Sequence, residues 1–396
     1  MIKVRRLVML NQMAGPMFRE LAEGLSIEFK DGCVLHTGHP DTLKRLNKLP
    51  HKLKLVKSPT YNRKTNLSRA ISWARYLLSA TKLILFSKRT DAFLITTNPP
   101  LIGIWLLLFY FFKKRPYIVL VYDIYPEVLI INNVFSKYNP IIQLWNWANK
   151  KVYKYANSII TLNSSMANTL SKQNNMPLES FEVISPWVNT NSIKPIPYEE
   201  NPLLKIFNPE KKHVVLYSGN MGISHDIESI LEAARQLKKS DNILFLFIGG
   251  GKKYQQIIDY KNKYELINIA IFPYQSEEDL PLTMSLSSIS LVALGHGSEK
   301  LMIPSKVFHY MASGAALIGI CHGDNELKSI ILNNNCGVCV EPERPNELVF
   351  AINDIINNED KLMSYRKESR MTAIKYFSTN IGVSQFVSIL GDKGIL

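Results

Sequence analysis

Apolar positions along the chain follow two alternating rhythms: short continuous runs suited to buried strands, and longer segments repeating at helical spacing. Val4 to Leu10 is the first run. It breaks at Asn11-Gln12-Met13-Ala14-Gly15, and Phe18 to Leu25 then places apolar residues at helical spacing. Strand, glycine loop and helix in this order begin a doubly wound sheet. Further strands are predicted at Cys33 to Thr37, Ala92 to Thr96, Tyr117 to Tyr122, Ile159 to Leu162 and Phe181 to Ile184. Asn98-Pro99-Pro100 stops the Ala92 strand, because proline cannot donate to a ladder. Leu67 to Leu85 carries Leu67, Ala70, Ile71, Ala74, Leu78 and Leu85 on one helical face, with Arg75 and Lys82 at its border. Leu101 to Phe112 is the most hydrophobic run and ends abruptly at Lys113-Lys114-Arg115. It falls short of the ~18–20 residues that span a bilayer, which predicts a buried helix, or one that also dips a side into a membrane interface.

Pro186 to Pro197 is punctuated like a connector, and beyond it the rhythm restarts. His213 to Tyr217 is a strand followed by Ser218-Gly219-Asn220-Met221-Gly222 and a helix from Asp226 to Leu237. Ile243 to Ile248 leads into Gly249-Gly250-Gly251, which alone suggests only a tight turn. Ile269 to Phe272, Ser290 to Ala293 and Ala316 to Ile320 follow at βα spacing. The pattern predicts an α/β protein of two Rossmann-like halves. Neither half holds a full GxGxxG or GxxxxGK[ST], which argues against a dinucleotide dehydrogenase and a P-loop ATPase.

Charge changes this picture. Of a formal +14, residues 1–200 hold 27 Lys and Arg against 12 Asp and Glu, whereas residues 201–396 hold 20 against 21. The whole excess lies in the first half and suits an anionic partner, either nucleic acid or an acidic membrane surface. No RRM, KH, helix-turn-helix or zinc pattern supports nucleic acid. Four cysteines in 396 residues point to a reducing compartment, and Cys336-Gly337-Val338-Cys339, without a second pair, reads as the entry to a strand. Arg5-Arg6 is followed only by the short run Leu7 to Leu10, so no secretory signal is expected.

Candidate chemistry collects at a few places. Ile303 to Gly314 reads as a loop delivering Lys306 to a helix start: Pro304 suits the entrance, Ser305 can cap, and Gly314 can end the helix. Free N–H groups, the helix dipole and a lysine together suit a diphosphate. Gly219 to Gly222 lets backbone N–H groups approach a ligand, and Phe272-Pro273-Tyr274 lies at a strand end where a flat base could stack. Asp123, Tyr125 and Glu127 follow the Tyr117 strand, at the edge where open parallel sheets bind ligands; the structural alternative is that Asp123 caps the next helix.

Tyr217-Ser218-Gly219-Asn220-Met221-Gly222, Phe272-Pro273-Tyr274, Ile303-Pro304-Ser305-Lys306, Tyr310-Met311-Ala312-Ser313-Gly314 and Cys336-Gly337-Val338 resemble, in this order, the donor domain of family 4 glycosyltransferases. The bacterial branch typified by N-acetylfucosaminyl transferases of O-antigen assembly is the most similar. Thr97-Asn98-Pro99-Pro100 and Tyr122-Asp123-Ile124-Tyr125-Pro126-Glu127 resemble that branch's N-terminal half. The resemblance implies a GT-B fold, two Rossmann-like domains facing across a cleft: residues 1–186 with a return helix at 380–396, and a donor domain at 187–379. It implies retention of configuration and no obligatory metal or other cofactor, and the chain contains no Asp-x-Asp.

The same resemblance implies Asp123 and Lys306 as catalytic residues, and Gly15, Gly219, Asn220, Gly222, His225, Phe272, Tyr274, Lys300, Pro304, Ser305 and Glu326 around the donor. Tyr125 and Glu127 would face the acceptor. Two departures stand out. Where many members have Glu-x7-Glu this chain has Leu301 and His309, and where many place Arg and Lys after the first donor-domain strand it has Asn220 and His225. Charge neutralisation then shifts to Lys306, with Lys300, and Glu326 is a substitute carboxylate. The implied reaction moves a sugar from a nucleotide diphosphate, UDP above all, to an undecaprenyl-diphosphate-linked saccharide for O-antigen or capsule. The enzyme would be peripheral on the inner face of the cytoplasmic membrane, held chiefly by charge. A sugar-nucleotide 2-epimerase of the same fold would need neither the basic half nor the Leu101 to Arg115 run.

Overall fold

The computed structural model describes residues 3–45, 50–62, 64–131, 134–208, 210, 212–223, 225–294 and 304–396. The chain divides into two compact units, Met1–Ser185 with Thr379–Leu396, and Pro186–Ser378.

Unit 1 runs β1 (Arg6–Leu10), α1 (Pro16–Glu28), β2 (Cys33–Thr37), α2 (Pro40–Lys44), β3 (Leu53–Lys57) and α3 (Asn66–Leu85). It continues with β4 (Asp91–Thr96), α4 (Ile102–Lys113), β5 (Tyr117–Val121), α5 (Glu127–Ile131), α6 (Pro140–Tyr155), β6 (Ser158–Thr161), α7 (Ser164–Asn174) and β7 (Phe181–Val183). All seven strands are parallel, in the order β3-β2-β1-β4-β5-β6-β7. Local chemistry sets many of the helix starts. Thr65 and Ser68 form a reciprocal capping box on α3, Asn139 and Asn163 cap α6 and α7, and prolines open α1, α2 and α6. Arg6 holds the buried Asp91 carboxylate in two hydrogen bonds of 3.0 and 2.6 Å, clamping the starts of β1 and β4 together. β3 escapes a reading by hydrophobicity because Lys52, Lys54 and Lys57 break its pattern, as suits a strand at the sheet edge.

The predicted apolar face of α3 is real but turned the other way. Ser72, Tyr76, Leu77, Ala80 and Ile84 pack inward, whereas Leu67, Ile71, Leu78 and Leu85 are exposed. α4 is likewise only partly buried, through Ile102 and Leu106, and Leu108, Phe111 and Phe112 face solvent. The inner sides of α3, α4 and α6 share one core with Val8, Phe93, Ile95 and Tyr117 of the sheet. No described helix is long and apolar enough to cross a membrane.

Unit 2 runs α8 (Leu204–Phe207), β8 (His213–Asn220), α9 (Glu228–Gln236), β9 (Ile243–Gly250), α10 (Tyr254–Tyr264), β10 (Ile269–Phe272), α11 (Leu280–Ser285) and β11 (Ile289–Ala293). Then follow α12 (Lys306–Ala312), β12 (Ala316–Ile320), α13 (Glu326–Asn333), β13 (Gly337–Val340), α14 (Pro345–Ile356) and α15 (Glu359–Tyr376). Its six parallel strands lie in the order β10-β9-β8-β11-β12-β13, with apolar cores on both faces. α16 (Thr379–Asp392) returns to unit 1, packs on α1, and donates from Thr379 Oγ1 to Glu20 at 2.7 Å.

Candidate active site

The carboxyl ends of β8 and β9 do not stop where their apolar runs stop. The ladder continues through Gly219 opposite Gly249 and Asn220 opposite Gly250, so these glycines end strands instead of forming loose turns. Gly219 and Gly249 have φ of +121° and +140°, and a Cβ on Gly249 would lie 2.0 Å from the Gly219 carbonyl oxygen. Only glycine permits this approach. The other side of Gly219 is open towards Lys306, whose Cε and Nζ would sit 4.0 Å from a Cβ built there.

Lys306 begins α12. Its stem is partly accessible, but Nζ is enclosed, lies 3.8 Å from the centre of the Tyr217 ring, and has no hydrogen-bond partner among the described residues. Burial penalises the ammonium form and brings its pKa from 10.5 down to about 7. The Tyr217 ring offers partial compensation as a cation–π partner, and no carboxylate among the described residues pairs with Lys306, so the site suits an anionic ligand. Tyr310, one turn along α12, fixes the lysine's helix to β8: its hydroxyl accepts from Ser218 N–H at 2.7 Å and donates to Ser218 O at 3.1 Å.

His225 completes the floor. Its Nδ1 lies 2.9 Å from the Tyr217 hydroxyl and 2.8 Å from Asn220 O. Burial and then the nearby Lys306 hold its pKa down at about 4, so the ring is neutral at pH 7. Lys253, missed by sequence reasoning, donates to His225 O at 2.7 Å and to Glu228 at 2.8 Å. Tyr274 is exposed, its ring lies over Gly250, and its hydroxyl donates to Gly250 O at 3.2 Å. Thus Gly219, Asn220, Gly222, His225, Tyr274 and Lys306 come together, although 87 residues separate Gly219 from Lys306.

Two expectations change. Ser305 does not cap: its backbone is already helical, its side chain makes no capping bond, and Val307 N–H and Phe308 N–H are taken by Pro304 O and Ser305 O. These tight bonds use up donors meant for an anion, so the lysine carries the site more than the helix end does. Phe272 turns its ring onto Phe207, centroids 4.3 Å apart, within the core and not towards a base. His309, at the position of the missing glutamate, places Nδ1 3.0 Å from Ser305 O, and burial lowers its pKa. Glu326 opens α13 beside Asn325, which caps that helix by accepting from Lys328 N–H. Lys300 and Leu301 lie outside the described residues.

In unit 1, Gly15 is the residue before α1, beside His39. Asp123 is exposed at the carboxyl end of β5, and Thr97 Oγ1 accepts from the N–H groups of both Tyr122 and Asp123 at 3.1 Å. Tyr125 stacks on Trp145 with rings 6° from parallel, and its carbonyl accepts from Asn149 at 2.8 Å. Glu127 begins α5, and burial raises its carboxyl pKa. No metal-holding group of three or more His, Cys, Asp or Glu side chains occurs among the described residues. Cys336 ends just before β13 and packs its thiol 3.7 Å from Thr372.

Comparison with known proteins gives this geometry a family. Residues 203–372 match the model of glycosyl transferases group 1. The probable glycosyltransferase WbjE of Pseudomonas aeruginosa is 26% identical over 333 residues, covering 84% of this chain and 82% of that protein. WcaI of Escherichia coli, a glycosyl transferase assigned to colanic acid biosynthesis, is 30% identical over 145 residues, 36% of this chain and 35% of the relative. The Anabaena protein HepE, solved in complex with UDP, superposes with a TM-score of 0.71 at 15% identity, covering 98% of this chain and all of that one. Residues 203–372, within unit 2, are thus similar to group 1 glycosyl transferases, and the chain as a whole has the GT-B fold and is similar to bacterial glycosyltransferases.

Proposed function

We propose that this enzyme transfers a sugar, with retention of configuration, from a UDP-sugar to a hydroxyl of a lipid-diphosphate-linked saccharide during assembly of O-antigen or capsule. The observation that carries the reading is the enclosed Lys306 Nζ, without a hydrogen-bond partner among the described residues, beside Tyr217 and the open face of Gly219. Departure of a nucleoside diphosphate builds negative charge as the sugar acquires oxocarbenium character. A preorganised cation in a dry site stabilises that charge, and removal of one such donor typically costs ~10²–10³ in rate. Lys306 takes this role without a metal ion, Tyr310 positions it, and Tyr274 and the glycine strand ends line the donor side. UDP is favoured because the likeness to HepE includes a UDP complex.

Asp123, at the strand end of unit 1, orients or deprotonates the acceptor hydroxyl. The acceptor is presented on the inner face of the cytoplasmic membrane, where the enzyme is peripheral. The test is acceptor-dependent nucleotide release from UDP- and GDP-sugars with an undecaprenyl-diphosphate-sugar mimic, with the product's anomeric configuration read by NMR. Release without acceptor dependence, or an inverted product, would overturn the reading.

A further inference from the structure

We propose that unit 1 sits in the headgroup and acyl boundary of an anionic bilayer on the outer face of its α3, α4 and α6 layer, held mainly by inserted apolar side chains. This deepens the membrane-surface reading above and rests on it, but not on the identity of the sugar. Each helix contributes an outward stripe at helical spacing. On α3 the stripe is Leu67, Ile71 and Leu78, opposite the inward Tyr76, Ala80 and Ile84; Leu67 is 72% exposed. On α4 it is Leu108, Phe111 and Phe112, the last 86% exposed. On α6 it is Ile141, Leu144 and Trp147. α4 packs against both of the other helices, and Trp105 donates to Thr81 Oγ1 at 3.0 Å to tie it to α3, so the stripes lie side by side on one surface.

Charge identifies what covers this surface. α3, α4 and α6 contain no Asp or Glu and seven Lys or Arg. Lys113 and Lys114 follow Phe112 directly, and Lys151 Nζ stands 5.8 Å from the Trp147 ring. A second copy of the chain would set these cations against one another, whereas an anionic bilayer accepts apolar stripe and basic border at once. α4 is 12 residues long and α3, at 20, is not apolar enough to span, so the layer lies on the membrane without crossing it. Sequence alone suggested attachment led by charge; the outward turn of the stripes shifts the weight to insertion.

The experiment is flotation with phosphatidylglycerol-containing and purely zwitterionic vesicles at low and high salt, using wild type and the double variant Leu108→Ser with Phe112→Ser. Both side chains are exposed, and an unchanged melting profile and UDP affinity verify that the variant is folded. Wild type is expected to float with anionic vesicles and to remain mostly bound in high salt. The variant is expected to bind at low salt only and to lose at least tenfold in partitioning. Variant flotation equal to wild type at high salt overturns this face while leaving peripheral attachment intact. Wild type that floats with neither vesicle overturns the membrane-surface reading itself. A wild-type dimer in sedimentation that the substitutions dissolve, without flotation, makes the face a contact between chains and also overturns the proposal.

Discussion

Replacing Lys306 with Met removes the charge and keeps most of the side-chain volume. In the empty site the amine's pKa has fallen from 10.5 to about 7, which at about 1.4 kcal/mol per tenfold corresponds to roughly 5 kcal/mol against the charged form. A diphosphate reverses that penalty by supplying the missing anion, so binding should take up a proton whenever the pH exceeds the empty-site value. The sign follows directly: donor affinity is fully present below about pH 7 and falls about tenfold for each pH unit above it, until the raised pKa of the complex is reached. The groups facing the lysine do not imitate this. His225 is held at about 4, His309 is also lowered, and the pKa values of Tyr217 and Tyr310 are raised by burial. Calorimetric titration with UDP-glucose, whose diphosphate keeps a constant charge across this range, in buffers of different ionisation enthalpy measures both affinity and proton uptake. Wild type should lose about 100-fold in affinity over two pH units above the empty-site value, whereas Lys306→Met should be weak and flat, with kcat/KM lower by ~10² or more. The same variant should gain a few kcal/mol of stability near neutrality, by roughly the charge penalty it no longer bears. That gain should shrink as pH rises towards the unfolded lysine's pKa, because the wild-type folded state then no longer opposes a proton that the unfolded chain retains. A flat wild-type profile, or proton uptake that persists in Lys306→Met, would refute the argument.

Three further substitutions test neighbouring steps. Tyr310→Phe strands the buried Ser218 N–H that its hydroxyl accepts and should cost about 1–3 kcal/mol in denaturant melts, with kcat falling more than UDP affinity. Gly249→Ala forces a Cβ to 2.0 Å from Gly219 O at φ +140°; it should destabilise unit 2 by ~3 kcal/mol or more, and a melt within 1 kcal/mol of wild type, roughly the error of such measurements, would contradict the β8–β9 geometry. Asp123→Asn should lower kcat with little change in UDP affinity, since Asp123 lies in unit 1; equal losses of both in steady-state and binding assays would remove it from the acceptor role.

The local pattern determined a great deal. β2, β10 and β12 fall on the residues predicted for them; β2 and β12 are buried along their whole length, as near-continuous apolar runs in a parallel sheet are, and β10 lies partly buried at the sheet edge. The motif order around Lys306 and Gly219 pointed to glycosyltransferases, since backbone approach and a cation beside it leave fixed residue types in the chain. Tertiary structure decided what periodicity could not. α3 is apolar on two sides, and only packing of Tyr76, Leu77 and Ile84 against the sheet turned Leu67, Ile71 and Leu78 outward. Phe272 could equally have met a base, but Phe207 from α8 was there to take its ring. Lys306 is set apart by its surroundings: Tyr217 and Gly219 arrive from β8, and its amine is enclosed without a hydrogen-bond partner among the described residues. A pKa depends on the solvent and charges within a few ångströms, and that neighbourhood exists only after two distant segments have packed.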